Sequence, residues 1–178
     1  MIRRRSGGPG LIFADDFGHG TMAGWTPSYG TWSNRDGALR GEFIIGQAWD
    51  IYNASGSNFV YEGTVTLIDA SAAGLTIRST ANGLRSYDIT LDAVGKTFKI
   101  SKQEQQPPAR VLASYPLNVE RRRPYRLKVV ANFGTLEGYL DGVRVLVAND
   151  GAYLSGRFGV TVYIGSATFD DLRASSAP

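Results

Sequence analysis

Three charged side chains stand out for what they could do together. Glu62, Arg78 and Asp88 each fall on the polar side of a segment in which apolar and polar residues alternate. Phe59, Tyr61, Val65 and Leu67 oppose Glu62, Thr64 and Thr66. Leu75 and Ile77 oppose Thr76 and Arg78. Tyr87, Ile89 and Leu91 oppose Ser86, Asp88, Thr90 and Asp92. In hairpin order these segments are neighbours, so the three charges would share one sheet face. A carboxylate–arginine–carboxylate cluster suits sugar hydroxyls, because carboxylates accept hydrogen bonds and a guanidinium donates them in a fixed fork. The same residues also fit a surface ion-pair network, and spacing alone does not separate the two.

Two acidic pairs, Asp15-Asp16 and Asp170-Asp171, stand near the two ends. If the first and last strands pair, Asp16 and Asp170 converge, and backbone carbonyls could complete an oxygen-rich calcium shell. The competing reading is solvated charge that protects an edge strand from aggregation. Catalysis has little to build on. There is no cysteine, and the one histidine, His19, sits in Gly18-His19-Gly20 with no nucleophile signature beside it. Retaining glycosidases need two carboxyl groups about 5–5.5 Å apart, and Glu62-Gly63-Thr64-Val65-Thr66 carries no second acid.

Strands must position these groups. The period-2 alternation predicts strands over 58–68, 74–80, 86–92, 125–131 and 157–164, each with one buried face. Shorter strands are predicted at 11–17, 31–33, 38–45, 49–52, 97–101, 110–113 and 168–173. Asp36-Gly37 and Asp141-Gly142 supply the positive φ angles of tight hairpins. Asn82-Gly83 ends another strand, and 103–108 is a polar loop with a double proline. No segment carries a 3.6-residue amphipathic period. Glycine, at 22 of 178 residues, exceeds the usual fraction of about 7%, as many tight turns require. The expected fold class is all-β, a two-sheet antiparallel sandwich occupying 11–173, with tails at 1–10 and 174–178.

The formal charge of +3 belongs to two triplets, Arg3-Arg4-Arg5 and Arg121-Arg122-Arg123. Without those six, 13 basic groups face 16 acidic ones, a balance of −3. This leaves two local points for docking an acidic partner, such as another protein subunit or a polyanionic glycan. It argues against nucleic acid, which needs a broad basic face. No apolar run approaches the roughly 20 residues of a membrane helix. The basic start lacks an apolar continuation, so no signal peptide is expected.

Several motifs, taken in order, resemble a known family. Asp15-Asp16-Phe17, Gly24-Trp25, Gly30-Thr31-Trp32-Ser33 and Asp36-Gly37-Ala38-Leu39 resemble the opening of concanavalin A-like and laminin G-like jelly rolls. The likeness is strongest to the levan-binding type of carbohydrate-binding module attached to fructan hydrolases. It continues through Asn58-Phe59-Val60-Tyr61-Glu62, Ala73-Gly74-Leu75-Thr76-Ile77-Arg78-Ser79, Tyr125-Arg126-Leu127-Lys128-Val129, Tyr139-Leu140-Asp141-Gly142 and Gly156-Arg157-Phe158-Gly159-Val160.

The resemblance implies a jelly roll with Glu62 and Arg78 in a sugar pocket. In those modules the glutamate after the aromatic and the arginine before the serine belong to that pocket. Tyr163 stands near a tryptophan of the family and would offer a stacking face. Trp25 and Trp32 match core positions, while Trp49 remains open between core and platform. Related jelly rolls often hold a structural calcium, the cofactor implied for Asp16 and Asp170. The glucanase branch of the fold draws its acids from one strand, where this chain has only Glu62.

The expected function is therefore a non-catalytic carbohydrate-binding or glycan-adhesion module, with Glu62, Arg78, Asp88 and Tyr163 at the sugar. A second expectation is a structural component of a large assembly, such as a phage tail or capsid surface protein. A glycosidase is the third. Either of the first two would work outside a cell or on a virion surface.

Overall fold

The computed structural model describes residues 10–177. Arg3, Arg4 and Arg5 lie outside the described residues. Among those described there is no helix. The strands are β1 (Leu11–Asp15), β2 (Trp25–Ser28), β3 (Thr31–Arg35), β4 (Ala38–Gly56), β5 (Phe59–Leu67), β6 (Ala72–Ser79) and β7 (Arg85–Asp92). They continue with β8 (Thr97–Glu104), β9 (Arg110–Pro116), β10 (Tyr125–Asn132), β11 (Thr135–Leu140), β12 (Val143–Asn149) and β13 (Gly156–Ser176). Every pairing among them is antiparallel.

Two long strands build both layers of the sandwich. β4 and β13 pair with each other along most of their 19 and 21 residues. In one layer the C-terminal half of β13 lies between β4 and β5, and β10, β11 and β12 follow outward. In the other, the N-terminal half of β13 lies between β4 and β6, followed by β7, β8 and β9. The alternation divides each long strand in two, because Ile44, Ile45 and Ile164 break its rhythm. These three are exposed where the strands bend from layer to layer. The bend rests on Gly165 at φ +119°, where a Cβ would come within 2.6 Å of Ala70 Cα.

The hairpin chemistry behaves as expected. Asp36 and Gly37, and likewise Asp141 and Gly142, all have positive φ and close two-residue turns. The last strand runs through Ala174–Ser176, part of the stretch expected to be a tail. Ala174 is buried and aligned with Phe13 and Tyr61. A short apolar residue after a charged pair carries too little periodicity to mark a strand.

The apolar faces of the two layers meet in one core. Phe59 and Tyr61 of β5 pack on Phe158 of β13, with ring centroids 4.6 Å and 5.2 Å apart. Burying a side chain of this kind contributes about 1.5–3 kcal/mol. Trp25 and Trp32 belong to this core, and their indole nitrogens donate to Asp15 Oδ2 and the Tyr29 carbonyl. One core residue is out of character. Asp50 of β4 is fully buried, and among the described residues neither carboxylate oxygen has a hydrogen-bond partner.

Candidate functional site

The outer face of the β4–β13–β6–β7–β8–β9 layer carries a groove of about 650 Å³. Its floor comes from side chains that alternate away from the core on adjacent strands: Gln47 of β4, Thr161 of β13, Asp88 of β7 and Gln103 of β8. Tyr163 stands at one side and the Pro107-Pro108 loop at the other. Tyr163 pairs in register with Gln47 and Ala72 and is 44% exposed, which leaves a ring available to a ligand.

Asp88 is the hub of the floor and is itself buried. Its Oδ2 accepts from Gln47 Nε2 at 2.9 Å, Gln103 Nε2 at 2.9 Å and Trp49 Nε1 at 3.4 Å. Its Oδ1 accepts from Thr76 Oγ1 at 2.7 Å, with Ser86 Oγ 3.4 Å away and closer, at 3.0 Å, to the Gly83 carbonyl. Burial pushes the carboxyl up, and the hydrogen bonds from Thr76, Gln103, Gln47 and Trp49 oppose that rise. Trp49 is buried as well, so it is no platform. The Asn82-Gly83 turn covers it so closely that a Cβ on Gly83 would stand 2.4 Å from Trp49 Cγ.

Farther along the groove, Asp92 is held by Lys99 Nζ at 2.7 Å and by the Val94 and Gly95 N–H groups. Burial pushes Asp92 up, but Lys99 and the two N–H groups outweigh it and hold the carboxyl below its ordinary range. Both groove carboxylates are thus engaged inside the protein. The groove presents amides, hydroxyls and one aromatic ring, with no uncompensated charge pair set for acid–base work.

The structure separates the three charges expected on one face. Asp88 and Tyr163 line the groove, while Glu62 and Arg78 do not. Glu62 lies on β5, in the opposite layer, where it pairs in register with Lys128 and Arg173 and forms an ion pair with Arg126 at 3.4 Å. The strands carrying Glu62 and Arg78 follow each other in sequence but do not pair: β13 stands between β5 and β6.

Arg78 leaves the polar face for a different reason. It has φ +48°, and the β6–β13 register shifts there, so a bulge turns its side chain away. The guanidinium, 2% exposed as a residue, donates to the carbonyls of Ser57, Phe133 and Tyr153 and lies over the Phe59 ring. Burial lowers its pKa.

The two acidic pairs do approach each other. Asp170 is raised by burial first, with the charges of Asp171, Asp16 and Asp15 adding to the rise. Asp16 and Asp171 also line a smaller hollow of about 360 Å³ with His19, Arg126 and Arg173. Some of their oxygens already serve local donors. Asp15 takes the Phe17 N–H and the Trp25 indole, Asp16 takes the Gly18 N–H, and Asp170 takes the Asp171 N–H. Among the described residues, no three acidic, histidine or cysteine groups stand together to hold a metal ion.

The arginine loop is partly tied down. Arg121 Nε reaches the Ala70 carbonyl. Arg122, with φ +65°, donates its backbone N–H to Leu67. Arg123 pairs with Asp141 at 3.1 Å and lies over the Tyr125 ring. Gln47, Gln103 and Thr161 were not legible as site residues. Uncharged side chains on polar faces carry no distinctive spacing, and their convergence depends on the β4–β13 and β7–β8 registers.

No family model matches the chain. Over 158 residues it is 31% identical to a levanase of Bacillus subtilis (strain 168), covering 87% of this chain and 23% of that protein. The chain thus spans less than a quarter of the curated relative. A solved structure of the carbohydrate binding module CBM66 from Bacillus subtilis superposes with a TM-score of 0.83 at 31% identity, covering 87% of this chain and 97% of that one. The chain belongs to the CBM66 family. The resemblance to a concanavalin A-like carbohydrate-binding module read from the motifs is thereby borne out. More distantly, the carbohydrate recognition domain of Emp47p shares the fold of this CBM66 chain, with a TM-score of 0.70 at 13% identity over 95% of this chain and 98% of that one.

Proposed function

We propose that this CBM66 chain is a non-catalytic carbohydrate-binding module whose ligand is a neutral glycan, with levan as the first candidate. One observation carries the placement: the groove that joins the half-exposed Tyr163 ring to the Gln47–Asp88–Gln103 floor. Sugar rings stack on aromatic faces, while their hydroxyls need fixed polar partners. The groove supplies both, and the Asp92 charge in it is balanced by Lys99. Levan follows from the relative named for it.

Titration calorimetry with levan oligosaccharides tests the site. Tyr163→Ala and Gln103→Ala should each weaken binding by about tenfold, the loss of one good contact. Wild-type affinity in both variants would remove the groove as the site.

A glycosidase is disfavoured because Asp88 is buried under four donors and Asp92 is ion-paired, so neither is free to act as acid or nucleophile. No observation favours a component of a large assembly.

A further inference from the structure

The groove floor has a polarity that follows from counting its hydrogens. A glutamine amide has two N–H donors and one carbonyl acceptor. Gln47 Nε2 spends both hydrogens, on Asp88 Oδ2 and on Thr161 Oγ1, each at 2.9 Å. Gln103 Nε2 spends both of its own, on Asp88 Oδ2 at 2.9 Å and Gln47 Oε1 at 3.2 Å. The Thr161 hydroxyl gives its hydrogen to the Ala48 carbonyl at 2.9 Å. What remains facing the groove is Gln103 Oε1, which accepts nothing among the described residues, and the second lone pair of Gln47 Oε1. An ionised carboxylate only accepts, so the buried Asp88 leaves both amides no alternative orientation.

We infer that Asp88 is a positioning residue that turns every N–H of Gln47 and Gln103 inward, so that these two amides offer the groove only their carbonyl oxygens. The two amides then select for hydroxyl hydrogens that the ligand donates and disfavour a sulfate or carboxylate placed against them. An anionic substituent would meet carbonyl oxygens with a buried carboxylate behind them, with no N–H to receive it. This inference rests on the groove being the glycan site and names what the groove asks of its ligand.

Two measurements test it. The first uses the wild-type protein and levan oligosaccharides in which one ring hydroxyl at a time is replaced by fluorine, which cannot donate. At least one position should lose about tenfold in affinity. If every fluorinated ligand binds within about twofold of its parent, the inference falls. The second compares levan with sulfated levan on Asp88→Leu. Leucine removes the acceptor that both amides share, so neither nitrogen is held inward any longer. Neutral levan should weaken by about tenfold and the discrimination against sulfated levan should narrow. An unchanged ratio in a folded Asp88→Leu protein overturns the inference, and if that variant does not fold, the fluorinated series decides. Loss of levan binding in Tyr163→Ala and Gln103→Ala alongside an unchanged ratio would leave the groove intact and remove only the role of Asp88. Wild-type levan binding in both of those variants would remove the groove itself.

Discussion

Arg78 Nη1 donates to the Phe133 carbonyl at 2.7 Å and thereby ties β6 to the turn between β10 and β11 in the opposite layer. The same guanidinium holds Ser57 in the β4–β5 turn and Tyr153 before β13. One bulged residue thus closes an end of the sandwich. Arg78→Met keeps the stem and removes the donors, leaving three carbonyls without this partner. The cost should be about 2–4 kcal/mol, a drop in Tm of roughly 5–15 °C for a domain of this size. Calorimetry checks it, and a Tm within about 2 °C of wild type would show that water replaces the guanidinium at no cost.

Asp50 makes stability depend on pH. Burial raises its pKa to about 7, and the nearby Ile51 N–H, too poorly aligned to form a full hydrogen bond, opposes the rise only weakly. Its register neighbours, Pro27 and Val160, offer no side-chain donor. A carboxyl that holds its proton more tightly in the folded state costs nothing below its unfolded pKa of about 4. It destabilises as pH rises from there to about 7, by about 1.4 kcal/mol per unit and about 4 kcal/mol in all. Asp50→Asn should therefore gain Tm over wild type progressively between about pH 4 and 7 and hold that gain above. Equal gaps at pH 4.5 and pH 8 (conditions set by about the two ends of that window) would contradict it.

The Glu62–Arg126 pair separates the two candidate sugar faces. Its side chains are 32% and 36% exposed, so the ion pair is worth about 0–1 kcal/mol. Glu62→Gln should barely move Tm and should leave levan affinity unchanged, since Glu62 stands on the layer opposite the groove. A loss of binding in this variant would move the glycan site to the outer face of β5.

Asp170 offers a direct test of the metal. Its carboxyl is raised by burial and by three neighbouring acids, so near neutral pH Asp170→Asn should leave Tm unchanged or raise it. Chelation with EDTA should not shift the wild-type Tm. A rise in Tm on adding calcium that disappears in Asp170→Asn would establish a calcium shell that relies on groups beyond these carboxylates.

The strands were legible because alternation is local: Tyr61 beside Glu62, or Ile89 beside Asp88, shows which side is buried without any partner in view. The Asp-Gly hairpins were legible for the same reason, since positive φ is a property of the residues in the turn. Asp88 and Tyr163 lay on readable polar faces, and the groove contains them. Arg78 was misplaced because a bulge changes the period by one residue and leaves no local mark. Glu62 was misplaced because strands adjacent in sequence need not be adjacent in a sheet.

The sequence alone determined the all-β class, the hairpins and the family, because each rests on short-range pattern or on ordered motifs. The tertiary structure alone decided that β13 runs between β5 and β6, which sends Glu62 and Asp88 to opposite layers. It also decided that two glutamines, 56 positions apart, meet over one buried carboxylate. Hydrogen-bond registers between distant strands set those placements, and no residue carries its register within itself.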